Sequence, residues 1–140
     1  MRALALVLLV GCGGGMKSSE DLLYDVRAFQ EGIRWRKYDL AADYVPAKVR
    51  EKFLDAHDDV DADLRVDDYE LMRVKLADSH DRAEVRVKYT WHLDSVGAVH
   101  DTVVEQSWEK QGKVWRIVGS EHRRGEEMPR MVVSQAPALP

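Results

Sequence analysis

Ala83-Glu84-Val85-Arg86-Val87-Lys88-Tyr89-Thr90-Trp91-His92-Leu93 alternates apolar and polar residues without a break. A period of two places Ala83, Val85, Val87, Tyr89, Trp91 and Leu93 on one face and the charged residues, with Thr90 and His92, on the other. One face buried and one in water is the mark of an antiparallel sheet. Upstream, Met72, Val74 and Leu76 alternate with Arg73 and Lys75, which predicts a preceding strand ending at Asp78-Ser79-His80-Asp81. Downstream, Ser95-Val96-Gly97 turns the chain into a third strand at about 99–110, whose mixed pattern leaves its register open. Gln111-Gly112 signals a tight hairpin into a last strand over 113–119, with Trp115 and Ile117 on one face and Val114 and Val118 on the other. Beyond Arg124 the composition reads as an irregular tail, 125–140.

Before this strand-rich half the period is helical. Ser18 followed by Asp21 has the form of a capping box, and Leu22, Val26, Phe29 and Ile33 form one stripe. The other face carries Asp25, Arg27, Gln30, Glu31 and Arg34. Helical spacing continues through Leu40, Ala41 and Tyr44 to Pro46, which disfavours helix at Val45 and opens a short third helix with Val49, Phe53 and Leu54 inward. That helix is expected to fade near residues 55–59, with an acidic loop over 58–68. Two or three helices followed by hairpin-linked strands predict an α+β domain over 19–124, its helices packed on a curved antiparallel sheet of about four strands.

The N-terminus carries a different kind of signal. Residues 3–10 form an apolar run too short to span a bilayer as a helix, and Leu9-Val10-Gly11-Cys12 closes it with the chain's single cysteine. This tetrapeptide resembles the lipobox of bacterial lipoprotein precursors. The resemblance implies a signal peptide at 1–11, cleavage before Cys12, and acyl chains on Cys12 that hold the protein at the membrane of the cell envelope. It also implies, with Gly13 and not Asp after the cysteine, an outer-membrane destination facing the periplasm where the cell has two membranes. Residues 12–18 then read as the lipidated cysteine and a Gly-rich tether. The competing reading is a buried N-terminal strand with a core cysteine, which Gly11, Gly13, Gly14 and Gly15 oppose.

The order of elements is similar to that of the nuclear-transport-factor-2-like superfamily, which includes SnoaL-like and cystatin-like domains. The residues that carry the likeness are Trp35-Arg36-Lys37-Tyr38-Asp39 after the first helix, the strand 85–93, and Trp108 followed by Trp115-Arg116-Ile117. The resemblance implies a cone in which the sheet wraps the helices around a pocket. It bears on architecture more than on activity, because one fold hosts many functions.

Charge narrows the classes of partner. The chain has 21 Lys and Arg against 25 Asp and Glu, a net charge of −4, or −5 (20 against 25) once Arg2 is removed with the leader. Both signs are interspersed, which argues against a nucleic-acid ligand or a polybasic membrane patch. No cofactor motif is present.

Three constellations remain. Asp59, Asp61, Asp63 and Glu70 have calcium-loop spacing, but Leu64 stands where the turn requires Gly, so a solvated acidic segment competes with a cation site. Trp35, Tyr38, Tyr89, Trp91, Trp108 and Trp115 are pocket candidates for an apolar ligand, against the reading that they fill the core. Proton-transfer chemistry needs a tuned group inside the pocket; Asp39 and Tyr44 are the inward candidates, and His92 with Asp94 is expected to face solvent untuned. With no nucleophile–base pair and no zinc spacing among the histidines, the favoured expectation is a non-catalytic, lipid-anchored binding domain. Its partner would be an envelope protein or a small apolar ligand. The alternatives are an isomerase- or dehydratase-type enzyme, and a structural subunit of an envelope assembly.

Overall fold

A computed structural model describes residues 13–60 and 63–129. The leader, Cys12, Asp61 and residues 130–140 lie outside the described residues, and so do the expectations that fall on them. The order is α1 (Gly13–Arg34), α2 (Tyr38–Ala42), α3 (Ala47–Val60), β1 (Leu64–Leu76), β2 (Arg82–Leu93), β3 (Val99–Gln111) and β4 (Val114–Gly125). The domain is α+β, with the helices ahead of one four-stranded antiparallel sheet ordered β1-β2-β3-β4. Each strand pairs with its successor, so hairpins alone build the sheet.

The decisive strand behaves as its alternation requires. On β2, Ala83, Val85, Val87, Tyr89 and Trp91 are buried. On β3, Val104, Gln106 and Trp108 share that face, and β4 adds Trp115 and Ile117. The stripe Leu22, Val26, Phe29 and Ile33 of α1 meets it, and α1 reaches both edge strands, β1 and β4. Phe29 sets its ring edge-on to Trp108 at 5.7 Å and lies 6.2 Å from Phe53 of α3. Burying each such side chain contributes about 1.5–3 kcal/mol. Among the described residues no helix is long and apolar enough to cross a membrane.

Several boundaries differ from the sequence reading. Helix α1 begins at Gly13, so residues 13–18 extend the helix instead of forming a tether. Once later turns are packed, each further residue gains a hydrogen bond, and a Gly costs only about 1 kcal/mol. The expected acidic loop at 58–68 is divided between the end of α3 and the start of β1. Helix α3 runs on because His57 is buried, stacked on Tyr38 at 4.3 Å and packed on Phe53 at 4.4 Å. Strand β4 extends to Gly125.

Strand β1 departs most. Two bulges, between Val66 and Asp68 and between Leu71 and Arg73, break its alternation, and Met72 and Val74 are exposed where the pattern suggested an inward face. All the bulges in this sheet fall on the edge strands, where they twist the open edge away from a neighbouring chain.

Candidate functional site

The interior is where a pocket was expected, and it is filled. Tyr89, Trp91, Trp108 and Trp115 are at most 2 % exposed, and Phe29, Gln30, Phe53 and Gln106 have no accessible surface at all. These side chains pack against one another and leave almost no surface open. Tyr38 is buried against His57.

A closed polar network lies at the centre. Gln30 Nε2 donates to Gln106 Oε1 at 2.8 Å, Gln106 Nε2 donates to the Tyr89 hydroxyl at 2.9 Å, and that hydroxyl donates to Gln30 Oε1. Trp108 Nε1 completes it by donating to Gln106 Oε1 at 3.2 Å. Burial pushes the Tyr89 phenol far up, so it stays protonated. The network satisfies its members and offers no group poised to ionise near neutral pH.

Sequence reasoning placed Gln30 and Asp25 on the solvent face of α1, and both are buried. The signal was present. Gln30 falls four residues after Val26 and three before Ile33, and Asp25 three after Leu22 and four before Phe29, so both lie within the apolar stripe. Asp25 Oδ2 accepts the Trp115 backbone N–H at 2.9 Å, which ties α1 to β4. Burial raises its pKa, against the lowering effect of that hydrogen bond.

The remaining pocket candidate, Trp35, is 61 % exposed and stands outside the core. It follows α1 in a turn where Lys37 N–H reaches Gly32 O at 2.8 Å and Arg36 N–H reaches Ile33 O at 3.3 Å, the paired bonds of a Schellman cap. The left-handed position, usually glycine, is Arg36 at φ +56°. Trp35 Nε1 donates to Glu31 Oε2 at 2.8 Å, and the Arg34 guanidinium carbon lies 5.0 Å from the centre of the indole ring.

This turn borders an open cleft of about 510 Å³, closed on the other side by Arg65, Val66, Asp67, His92 and Asp94. His92 is far from the free surface residue expected of it. Its Nδ1 lies 2.8 Å from Asp67 Oδ2 and its Nε2 3.2 Å from Asp94 Oδ1, while Arg65 Nη2 holds the other Asp94 oxygen at 2.8 Å. Hydrogen bonding to Asp67 is the main cause of a raised His92 pKa. Asp67 is the extra residue of the first β1 bulge, which turns its carboxylate toward His92. With both ring nitrogens bound by carboxylates, His92 presents no free base to a substrate.

The other candidates do not assemble. Asp39 is exposed on α2, and Tyr44 is half-buried with its phenol pushed up first by burial and then by the Asp25 charge. Asp63 is engaged by Ser95, whose N–H and hydroxyl donate to its two oxygens at 2.8 and 2.6 Å and lower its pKa. Glu70 lies six residues beyond Leu64 along β1, about 20 Å in an extended chain, and pairs with Lys88 at 3.4 Å. Asp63 and Glu70 therefore cannot close on one ion, because strand replaces the loop that would fold them together. Among the described residues no group of three His, Cys, Asp or Glu side chains could hold a metal.

No family model, curated protein or solved structure matches this chain.

Proposed function

We propose that the chain is a bacterial envelope lipoprotein, anchored by acylation of Cys12, whose domain acts by binding a protein partner and not by catalysis. The observation that carries the binding half is the contrast between a filled interior and a rigidly presented Trp35. With Tyr89, Trp91, Trp108 and Trp115 packed and the Gln30–Tyr89–Gln106 network closed, no place for an apolar ligand or a substrate opens among these side chains. Recognition then belongs on the surface. Trp35 between Arg34 and Arg36 supplies the residue types that dominate the energetics of protein interfaces, and its contacts with Glu31 and Arg34 reduce the entropy lost on docking. The left-handed Arg36 is strain retained beside that surface.

The anchor rests on Leu9-Val10-Gly11-Cys12 behind its apolar run. Metabolic labelling with an alkyne fatty acid tests it: wild type takes label and enters the membrane fraction, and Cys12→Ser does neither. Membrane association unchanged in Cys12→Ser refutes the anchor. A photo-crosslinking residue at position 35 is expected to trap one discrete envelope protein in cells, whereas the same residue at exposed position 48 of α3 is not. Equal trapping at both positions refutes the Trp35 surface.

A further inference from the structure

The outward face of the sheet carries a feature that neither Cys12 nor the Trp35 cleft uses. Antiparallel register partners share a face. Arg73 lies opposite Arg86, while Val103 lies opposite both Lys88 and Arg124. Each edge strand adds a residue here through a bulge. From Leu71 to Arg73, β1 takes two steps while β2 takes one from Val87 to Arg86. From His122 to Arg124, β4 takes two steps while β3 takes one from Val104 to Val103. The extra residues are Met72 and Arg123. Met72 thereby joins Arg73, and Arg123 joins Arg124, where plain alternation would send one of each pair inward. Met72, Arg86, Val103, Arg123 and Arg124 line one cleft of about 340 Å³.

The charge of this face is unbalanced. Glu105 answers Arg86 at 2.8 Å, Glu121 answers Arg123 at 3.3 Å and Glu70 answers Lys88 at 3.4 Å. Among the described residues no carboxylate pairs with Arg73 or Arg124. Like charges directly opposite each other, as in Arg73 and Arg86, oppose strand pairing, so stability alone does not account for them. Val103, 5 % exposed, and Met72, 43 % exposed, give the cleft an apolar side. Guanidinium forks match phosphate oxygens in bidentate fashion, and an apolar wall strengthens such pairs by displacing water.

We propose that this cleft binds a phosphate-bearing anion, with Arg86, Arg123 and Arg124 holding phosphate oxygens and Met72 and Val103 against its apolar portion. Free phosphates and phospholipid headgroups present the same chemistry, and the test separates them. The full chain carries Cys12→Ser throughout, so that no acyl chain takes it to vesicles. Calorimetry with pyrophosphate is one arm; flotation with phosphatidylglycerol vesicles, against pure phosphatidylcholine, is the other. Arg123→Gln with Arg124→Gln is expected to weaken binding by about tenfold or more. Lys48→Gln with Lys52→Gln, which removes the same charge from exposed positions of α3, is expected to change it by less than about twofold. Arg124→Lys keeps the charge without the fork and is expected to fall between, with an unchanged melting temperature that excludes misfolding. Binding to pyrophosphate assigns a free phosphate, and binding confined to anionic vesicles assigns a headgroup. Binding of neither probe, or an equal loss in the lysine variant, overturns the proposal.

Discussion

At the scale of single residues, two titrating groups give predictions of the same sense, a loss of stability as pH rises, in different pH windows. His92 has a pKa raised above its ordinary value of about 6.5 by Asp67 and Asp94. Its contribution to stability is fully present below that value and is lost as pH rises through the folded-state pKa. The urea midpoint of the wild type is therefore expected to fall between pH 6 and pH 9 more steeply than that of His92→Gln; parallel curves would contradict the clamp. Asp25 has its pKa raised by burial, so stability falls as pH climbs from the ordinary carboxylate range through its folded-state value. Asp25→Asn keeps an acceptor for the Trp115 N–H without the charge, and is expected to be at least as stable as wild type at pH 7. Asp25→Ala orphans that N–H and is expected to cost about 1–3 kcal/mol by urea titration. Asp25 and Gln30 show where sequence reading stops: a polar residue inside an apolar stripe is legible by position, but its partners lie 90 and 76 residues away.

At the scale of elements, the cap that ends α1 controls the Trp35 surface. Arg36→Gly relieves the left-handed backbone, so a gain of about 1 kcal/mol in unfolding free energy is expected, with weaker crosslinking at position 35. A loss of stability would show that the Arg36 side chain outweighs its backbone cost. Gly32, one turn earlier, lets α1 and α2 touch: a Cβ there would fall 2.9 Å from Ala41 Cβ and 3.1 Å from Ala41 N. Gly32→Ala is expected to destabilise by about 1–3 kcal/mol, read from the same titration. The strand at 83–93 was legible because β2 carries no bulge and its alternation survives intact, whereas β3, also without a bulge, buries Thr102, Val103 and Val104 in a row, so its mixed pattern left its register open. Strand β1 was only partly legible, since each bulge resets the period and hides Leu64 and Val66 in an apparently acidic loop. The two bulges that aim Met72 and Arg123 carry no sequence signature at all.

For the whole molecule, the account turns on an interior closed to ligands. Tyr89→Phe removes the hydroxyl that joins Gln30 to Gln106 and leaves buried amide groups unpaired, so a loss of about 1–3 kcal/mol is expected without any gain of ligand binding. The helix-then-hairpin order was readable from periodicity. Whether the sheet and helices enclosed a pocket was not, because aromatic residues on an inward face look the same lining a cavity or filling a core. The fold makes the difference visible through Trp35, the only one of the four tryptophans that solvent reaches freely. The most direct measurement is Trp fluorescence of the full-length Trp35→Phe variant titrated with a brominated fatty acid below its micelle concentration. The account predicts that emission from Trp91, Trp108 and Trp115 stays unquenched, and saturable quenching would contradict it.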